Sequence, residues 1–166
     1  NSQLIIFYLI LNTFLFFISD HNSIFLFFYP ILISLLILNF NGKIFLGDSG
    51  SYSLGATYSF FIIYQYTTFK KIFFVEEILI LTLIPGLELL RLSFYRVSKG
   101  RNIFSGDLEH IHHLLLKRFS QIQTNLIVSI LIIIPIFFLL FAQINLHLIV
   151  FISILSYFLI IYLLKK

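Results

Sequence analysis

The sequence predicts an all-α fold, a polytopic membrane bundle of about six transmembrane helices. Three observations predict it. Of 166 residues, 60% are hydrophobic and only 11% charged, with a mean hydropathy of +1.03, a composition that a domain with a solvated surface does not tolerate. The apolar residues fall in runs without the two-residue alternation of barrel strands, and in lipid such a run satisfies its backbone only as a helix. The basic residues are unevenly shared between alternate loops, as they are in a membrane protein with a fixed orientation.

The runs are Leu4 to Ser19, Ile24 to Leu38, Tyr52 to Tyr66, Ile78 to Leu92, Leu126 to Ala142 and Leu146 to Leu164. At about 1.5 Å per residue the shorter ones reach roughly 23 Å, less than a hydrocarbon core of about 30 Å. Their helices are therefore expected to extend into the flanking polar residues. If the loop around Asp48 faces the cytoplasm, alternation places Lys43, Arg91, Arg96, Lys99, Arg101, Lys117, Arg118, Lys165 and Lys166 inside, against Lys70 and Lys71 outside. That distribution, nine against two, obeys the positive-inside rule, and the net charge of +4 reads as topology. No nucleic-acid partner is expected; the lipid bilayer is.

Cysteine is absent, which excludes disulfides and thiolate metal sites. Methionine is absent too, so Asn1 is not expected to be a natural start. The first stretch lacks the basic region and small-residue cleavage site of a signal peptide. Neither an internal repeat nor a linker stands out, and residues 1–166 are read as a single membrane domain. The outer loops are short and chemically poor. The chemistry is expected in two segments on the cytoplasmic side, residues 39–51 and the basic loop from Ser93 to about Thr124.

The first runs Asn39-Phe40-Asn41-Gly42-Lys43-Ile44-Phe45-Leu46-Gly47-Asp48-Ser49-Gly50-Ser51, directly into the third helix. Asp48 and Ser49 sit where an N-cap is expected, with glycines on both sides that allow a ligand to approach. A helix N-terminus attracts phosphate, and a carboxylate beside it can hold a Mg²⁺ that bridges pyrophosphate oxygens. The structural alternative is that Asp48 only caps a helix at the membrane boundary. Gly47-Asp48-Ser49-Gly50 also matches the nucleophile segment of trypsin-like serine proteases, but those are disulfide-bonded soluble β-barrels.

In the second segment three of the five histidines, His110, His112 and His113, fall within four residues next to a basic stretch. On a continuous helix His110 and His113 share a face and His112 points elsewhere. Imidazoles among guanidiniums suit the grip of phosphates and the stabilisation of charge in phosphoryl transfer. A zinc site from His110, His113 and Asp107 or Glu109 is a second reading, and a solvated juxtamembrane loop binding anionic headgroups is a third. Glu88 and Arg91, three apart at the end of the fourth helix after Pro85 and Gly86, are expected to form an ion pair that shields both charges from lipid.

Together the two segments resemble the polyprenyl-phosphate N-acetylhexosamine-1-phosphate transferases, the family of the WecA-like enzymes and, more distantly, of the MraY phospho-MurNAc-pentapeptide transferases. The matching residues are Asn41 to Ser51, then Pro85, Arg91, Arg96, Gly100, Arg101, Phe104 and Asp107, then His110-Ile111-His112-His113-Leu114-Leu115. The resemblance implies a partial copy, the C-terminal part, of a ten- or eleven-helix fold in the prokaryotic inner membrane, with its active site facing the cytoplasm.

It also implies transfer of a sugar 1-phosphate from a UDP-N-acetylhexosamine to polyprenyl (undecaprenyl) phosphate with release of UMP, as the first membrane step of cell-surface polysaccharide synthesis. Asp48 then holds Mg²⁺, or alternatively Mn²⁺. Asp48, His110, His112 and His113 are the implied catalytic residues. Asn41, Lys43, Gly47, Ser49, Arg91, Arg96, Arg101 and Asp107 are the implied substrate contacts. A homodimer is compatible with it. Departures are Glu88, where the family often has Asp, and Gly106, where it often has Pro. The family's earlier acidic motifs are absent, so the chain alone is expected to be inactive. The reading from another class is a non-catalytic membrane transporter or scaffold, with Glu88, Arg91 and the histidines lining a polar path.

Overall fold

A computed structural model of the chain describes residues 2–18, 23–69, 75–103, 105, 109–141 and 145–166. Every regular element among them is helical: α1 (Ser2–Ile18), α2 (Ser23–Phe40), α3 (Gly47–Phe69), α4 (Val75–Ser98), α5 (Ile111–Leu116), α6 (Gln121–Phe141) and α7 (Leu146–Lys165). The predicted helical membrane bundle is what forms. All three prolines lie inside helices, at Pro30, Pro85 and Pro135, a placement that membrane helices tolerate better than soluble ones.

The helices extend beyond the apolar runs, as their length deficit required. α3 begins at Gly47, five residues ahead of Tyr52, and α4 continues to Ser98, six beyond Leu92. Among the described residues, three helical stretches are long and apolar enough to cross a membrane: Ile78–Ser98, Gln121–Leu139 and Leu146–Lys165. Apolar stretches in α1 and α2 are shorter, and α3 carries a polar first turn, so length and composition establish three spans where six runs were read. The chain folds as two compact units, Asn1–Phe73 and Phe74–Lys166.

In the first unit, α1 packs on α2, and a buried polar residue ties α3 to both. The Asn12 amide donates to the Phe25 carbonyl of α2 at 3.1 Å and accepts from the Tyr58 hydroxyl of α3 at 3.0 Å. Tyr58 also stacks on Tyr8, with centroids 5.1 Å apart. Without a hydrophobic force between helices in lipid, such hydrogen bonds and close packing are what hold them together.

In the second unit, α4, α6 and α7 pack on one another and α5 lies on α6 and α7. α7 buries one stripe, Ile149, Ser153, Tyr157 and Ile161, spaced by four so that it follows a single helix ridge. Its other faces expose Phe151, Leu155, Leu159 and Leu163, the side chains a lipid-facing surface needs. Asn145 caps its start by accepting from the His147 amide at 2.9 Å. The end of α7 meets the end of α4, with the Lys165 ammonium 4.9 Å above the Tyr95 ring, and Arg118 donates to the Leu163 carbonyl at 3.1 Å. The basic residues from Arg91 onward thus gather at one end of this unit, as the charge distribution required.

α2 and α4 end in the same way. Gly42 and Gly100 both have φ 66°, and the Lys43 and Arg101 amides reach back to the Leu38 and Arg96 carbonyls at 2.9 and 2.8 Å. These paired closures, with Asn39 and Val97 accepting from the two glycines, are Schellman motifs, which call for glycine at the left-handed position. They turn the chain sharply into each polar segment.

Candidate functional site

Two clusters carry the chemistry, one in each unit. In the first unit the segment from Asn41 follows the α2 terminus and is held by the Asn39 amide, which donates to the Ile44 carbonyl at 3.0 Å. Asn41 and Lys43 are exposed. α3 starts at Gly47, whose φ is 64°, so Asp48 and Ser49 stand in the first helical turn and not at the cap. Both are exposed, and the turn is closed by Ser51, whose hydroxyl donates to the Gly47 carbonyl at 2.6 Å. Among the described residues no hydrogen bond or ion pair engages the Asp48 carboxylate. The positive end of a 23-residue helix favours the charged form of this carboxylate, and an exposed acidic oxygen donor is of the type a hard cation takes while keeping several waters.

The second cluster is more tightly built. Glu88 and Arg91 form the expected pair: Arg91 Nη2 lies 3.0 Å from Glu88 Oε1 and Arg91 Nε 3.2 Å from Oε2. The pair is buried, with 8% of the Arg91 side chain and 13% of the Glu88 side chain exposed. Burial of two charges requires that the remaining donors and acceptors also find partners, and three elements supply them. From α7, the Tyr157 hydroxyl donates to Glu88 Oε2 and accepts from Arg91 Nε at 2.8 Å. From the segment before α5, the Glu109 carbonyl accepts from Arg91 Nη2 at 2.6 Å. At α5 itself, the Ile111 amide donates to Glu88 Oε1 at 2.7 Å, and His110 Nδ1 lies 3.4 Å from the same oxygen. Arg91 Nη1 is buried without a hydrogen-bond partner among the described residues.

The histidines therefore stand on a helical turn fastened to α4 and α7. α5 forms because Ile111, Leu114 and Leu115 share a face and are buried. His110 precedes it with φ −59° and ψ 145°, outside the helical region, so the spacing argument for a continuous helix fails at this residue. His112 does not point away. Its ring lies 5.4 Å from that of His110 and 4.1 Å from that of His113, and the rings of His110 and His113 are 6.3 Å apart. Burial, and then the neighbouring His113 and His110 imidazoles, push His112 down to about 4, because a second and third positive charge in the same small volume is unfavourable.

The other predicted residues are placed as follows. Arg96 belongs to α4 and not to a loop, and its Nη1 donates to the Ile103 carbonyl at 2.5 Å, closing the turn that Gly100 begins. Arg101 is exposed within that turn. Asp107 lies outside the described residues. Among the described residues no three His, Cys, Asp or Glu side chains are grouped to hold a metal ion. The Asp48 and histidine segments fall in separate units.

Tyr157 was missed by sequence reasoning because it sits in an apolar run. A tyrosine in a membrane helix whose hydroxyl must find a partner, set against a Glu88–Arg91 pair with donors and acceptors to spare, was the available signal. The basic loop read from Ser93 to about Thr124 is also corrected: α4 runs through Ser98, α5 interrupts the loop, and α6 begins at Gln121.

No family model matches the chain, and no solved structure does. Over 103 residues, 60% of this chain, it is 30% identical to the undecaprenyl-phosphate α-N-acetylglucosaminyl 1-phosphate transferases of Salmonella typhi and Escherichia coli K12 and 32% identical to that of Yersinia pestis. The chain spans about 28% of the length of these curated relatives.

Proposed function

We propose that this chain is the C-terminal part of a polytopic glycosyl-1-phosphate transferase, which moves an N-acetylhexosamine 1-phosphate from a UDP-sugar to undecaprenyl phosphate and releases UMP. The observation that carries this reading is the fastened histidine cluster. Three imidazoles are clustered on a turn that Glu88 and Arg91 fasten to α4, in a chain similar to transferases of that name. Phosphoryl transfer needs little covalent help from a protein; it needs charge fixed where the phosphate oxygens will be.

The chain's own residues supply that in two places. The Arg91 side chain is largely withdrawn from water, and its Nη1 is a charged donor without a hydrogen-bond partner among the described residues, which suits an anionic phosphate. His110 and His113 add imidazoles beside it, while His112, kept neutral, can accept as well as donate. In the second unit Arg101 adds an exposed cation, and in the first unit Asn41, Lys43, Ser49 and the backbone at Gly47 stand at or just before the first turn of α3. Asp48 would hold Mg²⁺ or Mn²⁺, with further carboxylates from the rest of the protein, and the bound cation would neutralise the pyrophosphate. Attack by the lipid phosphate on the sugar-linked phosphorus forms the new pyrophosphate bond and breaks the bond to UMP.

The reading places the active site on the cytoplasmic face of a prokaryotic inner membrane and the reaction at the start of polysaccharide assembly. The test is UMP release by membranes containing the complete protein, given undecaprenyl phosphate and a panel of UDP-N-acetylhexosamines with and without Mg²⁺. Release that needs both the lipid and the metal supports it. No lipid-dependent release from any sugar overturns it and leaves a non-catalytic transporter or scaffold.

A further inference from the structure

Glu88 carries no part of the proposed chemistry, yet more of the second cluster converges on its carboxylate than on any other described side chain. Oε1 accepts from the Ile111 amide at 2.7 Å and lies 3.4 Å from His110 Nδ1. Oε2 accepts from the Tyr157 hydroxyl and, at 3.2 and 3.1 Å, from Nε and Nη2 of Arg91. α5 is only six residues long and has no side-chain cap of its own. A single turn of helix is marginal by itself, so a carboxylate from α4 takes over the task that a Ser or Asp beside the turn would ordinarily perform.

Its second contact bears on His110 itself. An imidazole whose Nδ1 faces a carboxylate places its hydrogen on Nδ1 and leaves Nε2 with the lone pair. A carboxylate behind a ligating or catalytic histidine fixes the ring's orientation in the same way. We infer that Glu88 is a positioning residue, which fastens the histidine turn to α4 through the Ile111 amide and sets the tautomer of His110 through Nδ1, with the Tyr157 hydroxyl and Arg91 holding the carboxylate in place. It acts through the histidines and touches no substrate. The inference rests on the proposed transferase reading only for its kinetic consequence; the tautomer is a property of the chain whatever the reaction.

The tautomer is read by ¹⁵N NMR of histidine-labelled complete protein in detergent at alkaline pH, with His110 assigned by its loss in His110→Gln. The expected neutral form carries hydrogen on Nδ1 and loses that preference in Glu88→Ala. Hydrogen on Nε2 in the unaltered protein, or the same tautomer with and without Glu88, overturns the inference.

Kinetically, Glu88→Ala should lower kcat for UMP release by about tenfold or more, the effect of one lost charge-assisted contact, with KM for undecaprenyl phosphate unchanged. Glu88→Gln, which keeps an acceptor for Ile111, should recover part of the loss. Wild-type kcat in a folded Glu88→Ala protein overturns the inference. Should that variant fail to fold, Tyr157→Phe decides: it leaves the packing intact, and an unchanged kcat together with an unchanged His110 spectrum counts against it. Absence of lipid-dependent UMP release in the unaltered protein defeats the transferase reading and leaves the NMR result to judge Glu88.

Discussion

Glu88 Oε1 accepts a hydrogen bond from the Ile111 amide, 2.7 Å away and 23 positions further along the chain. A carboxylate on a membrane helix thereby closes the first turn of a helix that carries two of the three clustered histidines. The same carboxylate is held by Arg91 and Tyr157, so the arrangement of the histidines and the neutralisation of a buried ion pair are one structural problem with one solution.

Arg91→Ala should be among the most damaging substitutions in the second unit. It leaves Glu88 buried without its cation and frees the Glu109 carbonyl, and breaking a buried pair from one side costs about 3–5 kcal/mol. Arg91→Lys keeps the charge but not the fork that spans both carboxylate oxygens, and should recover part of the loss. Unfolding in mixed detergent micelles measures both. Equal stability of Arg91→Ala and the unaltered protein would show that the pair contributes nothing.

In the first unit, Tyr58→Phe removes the hydroxyl that reaches Asn12 and should cost about 1 kcal/mol, the typical value for a hydrogen bond between membrane helices. Asn12→Ala should cost more. It deletes both contacts at once and leaves the Tyr58 hydroxyl buried without an acceptor. The same unfolding assay reads the order, and a larger loss for Tyr58→Phe would reverse the assignment of Asn12 as the link among α1, α2 and α3.

His112 makes the second unit sensitive to acid. Its pKa is pushed down to about 4 from the ordinary imidazole value of 6.5, so between those values the unfolded chain binds a proton that the folded chain refuses. Stability therefore falls as pH drops through that window and is unaffected by His112 above it. His110 and His113 oppose its charge and Glu88 favours it, with burial and the two imidazoles prevailing. Thermal unfolding at pH 7.5 and 5 should show a smaller acid loss in His112→Gln than in the unaltered protein. Identical losses would remove His112 as the cause.

Asp48→Asn separates function from stability. The carboxylate is exposed and unengaged among the described residues, so melting should shift by no more than about 0.5 kcal/mol in free energy. Under the proposed reaction the loss of a metal ligand should lower transfer by roughly a hundredfold or more. Activity near that of the unaltered protein would take Asp48 out of the metal site.

Much of this architecture is legible in short stretches of sequence. The helices are, because an unbroken apolar run in lipid has one way to satisfy its backbone. So are the two polar segments, marked by Gly42, Gly47 and Gly100 where the chain must turn. The Glu88–Arg91 pair is also local, a consequence of three-residue spacing on one helix.

The contacts that assemble the second cluster are not local. Tyr157 lies 66 residues from Arg91 and 69 from Glu88, inside a helix that is apolar on nearly every side. Such a helix gives no sign in its own sequence of which face packs inward, since lipid and protein interior reward the same side chains. His112 joins the other two rings because His110 leaves the helical conformation to meet Glu88, a departure that helical periodicity cannot foresee. Composition and spacing by themselves determined that this protein is a helical membrane bundle with charged ends. Tertiary packing alone decided which charges are buried together, because the partner of a buried polar group is chosen by the fold that buries it.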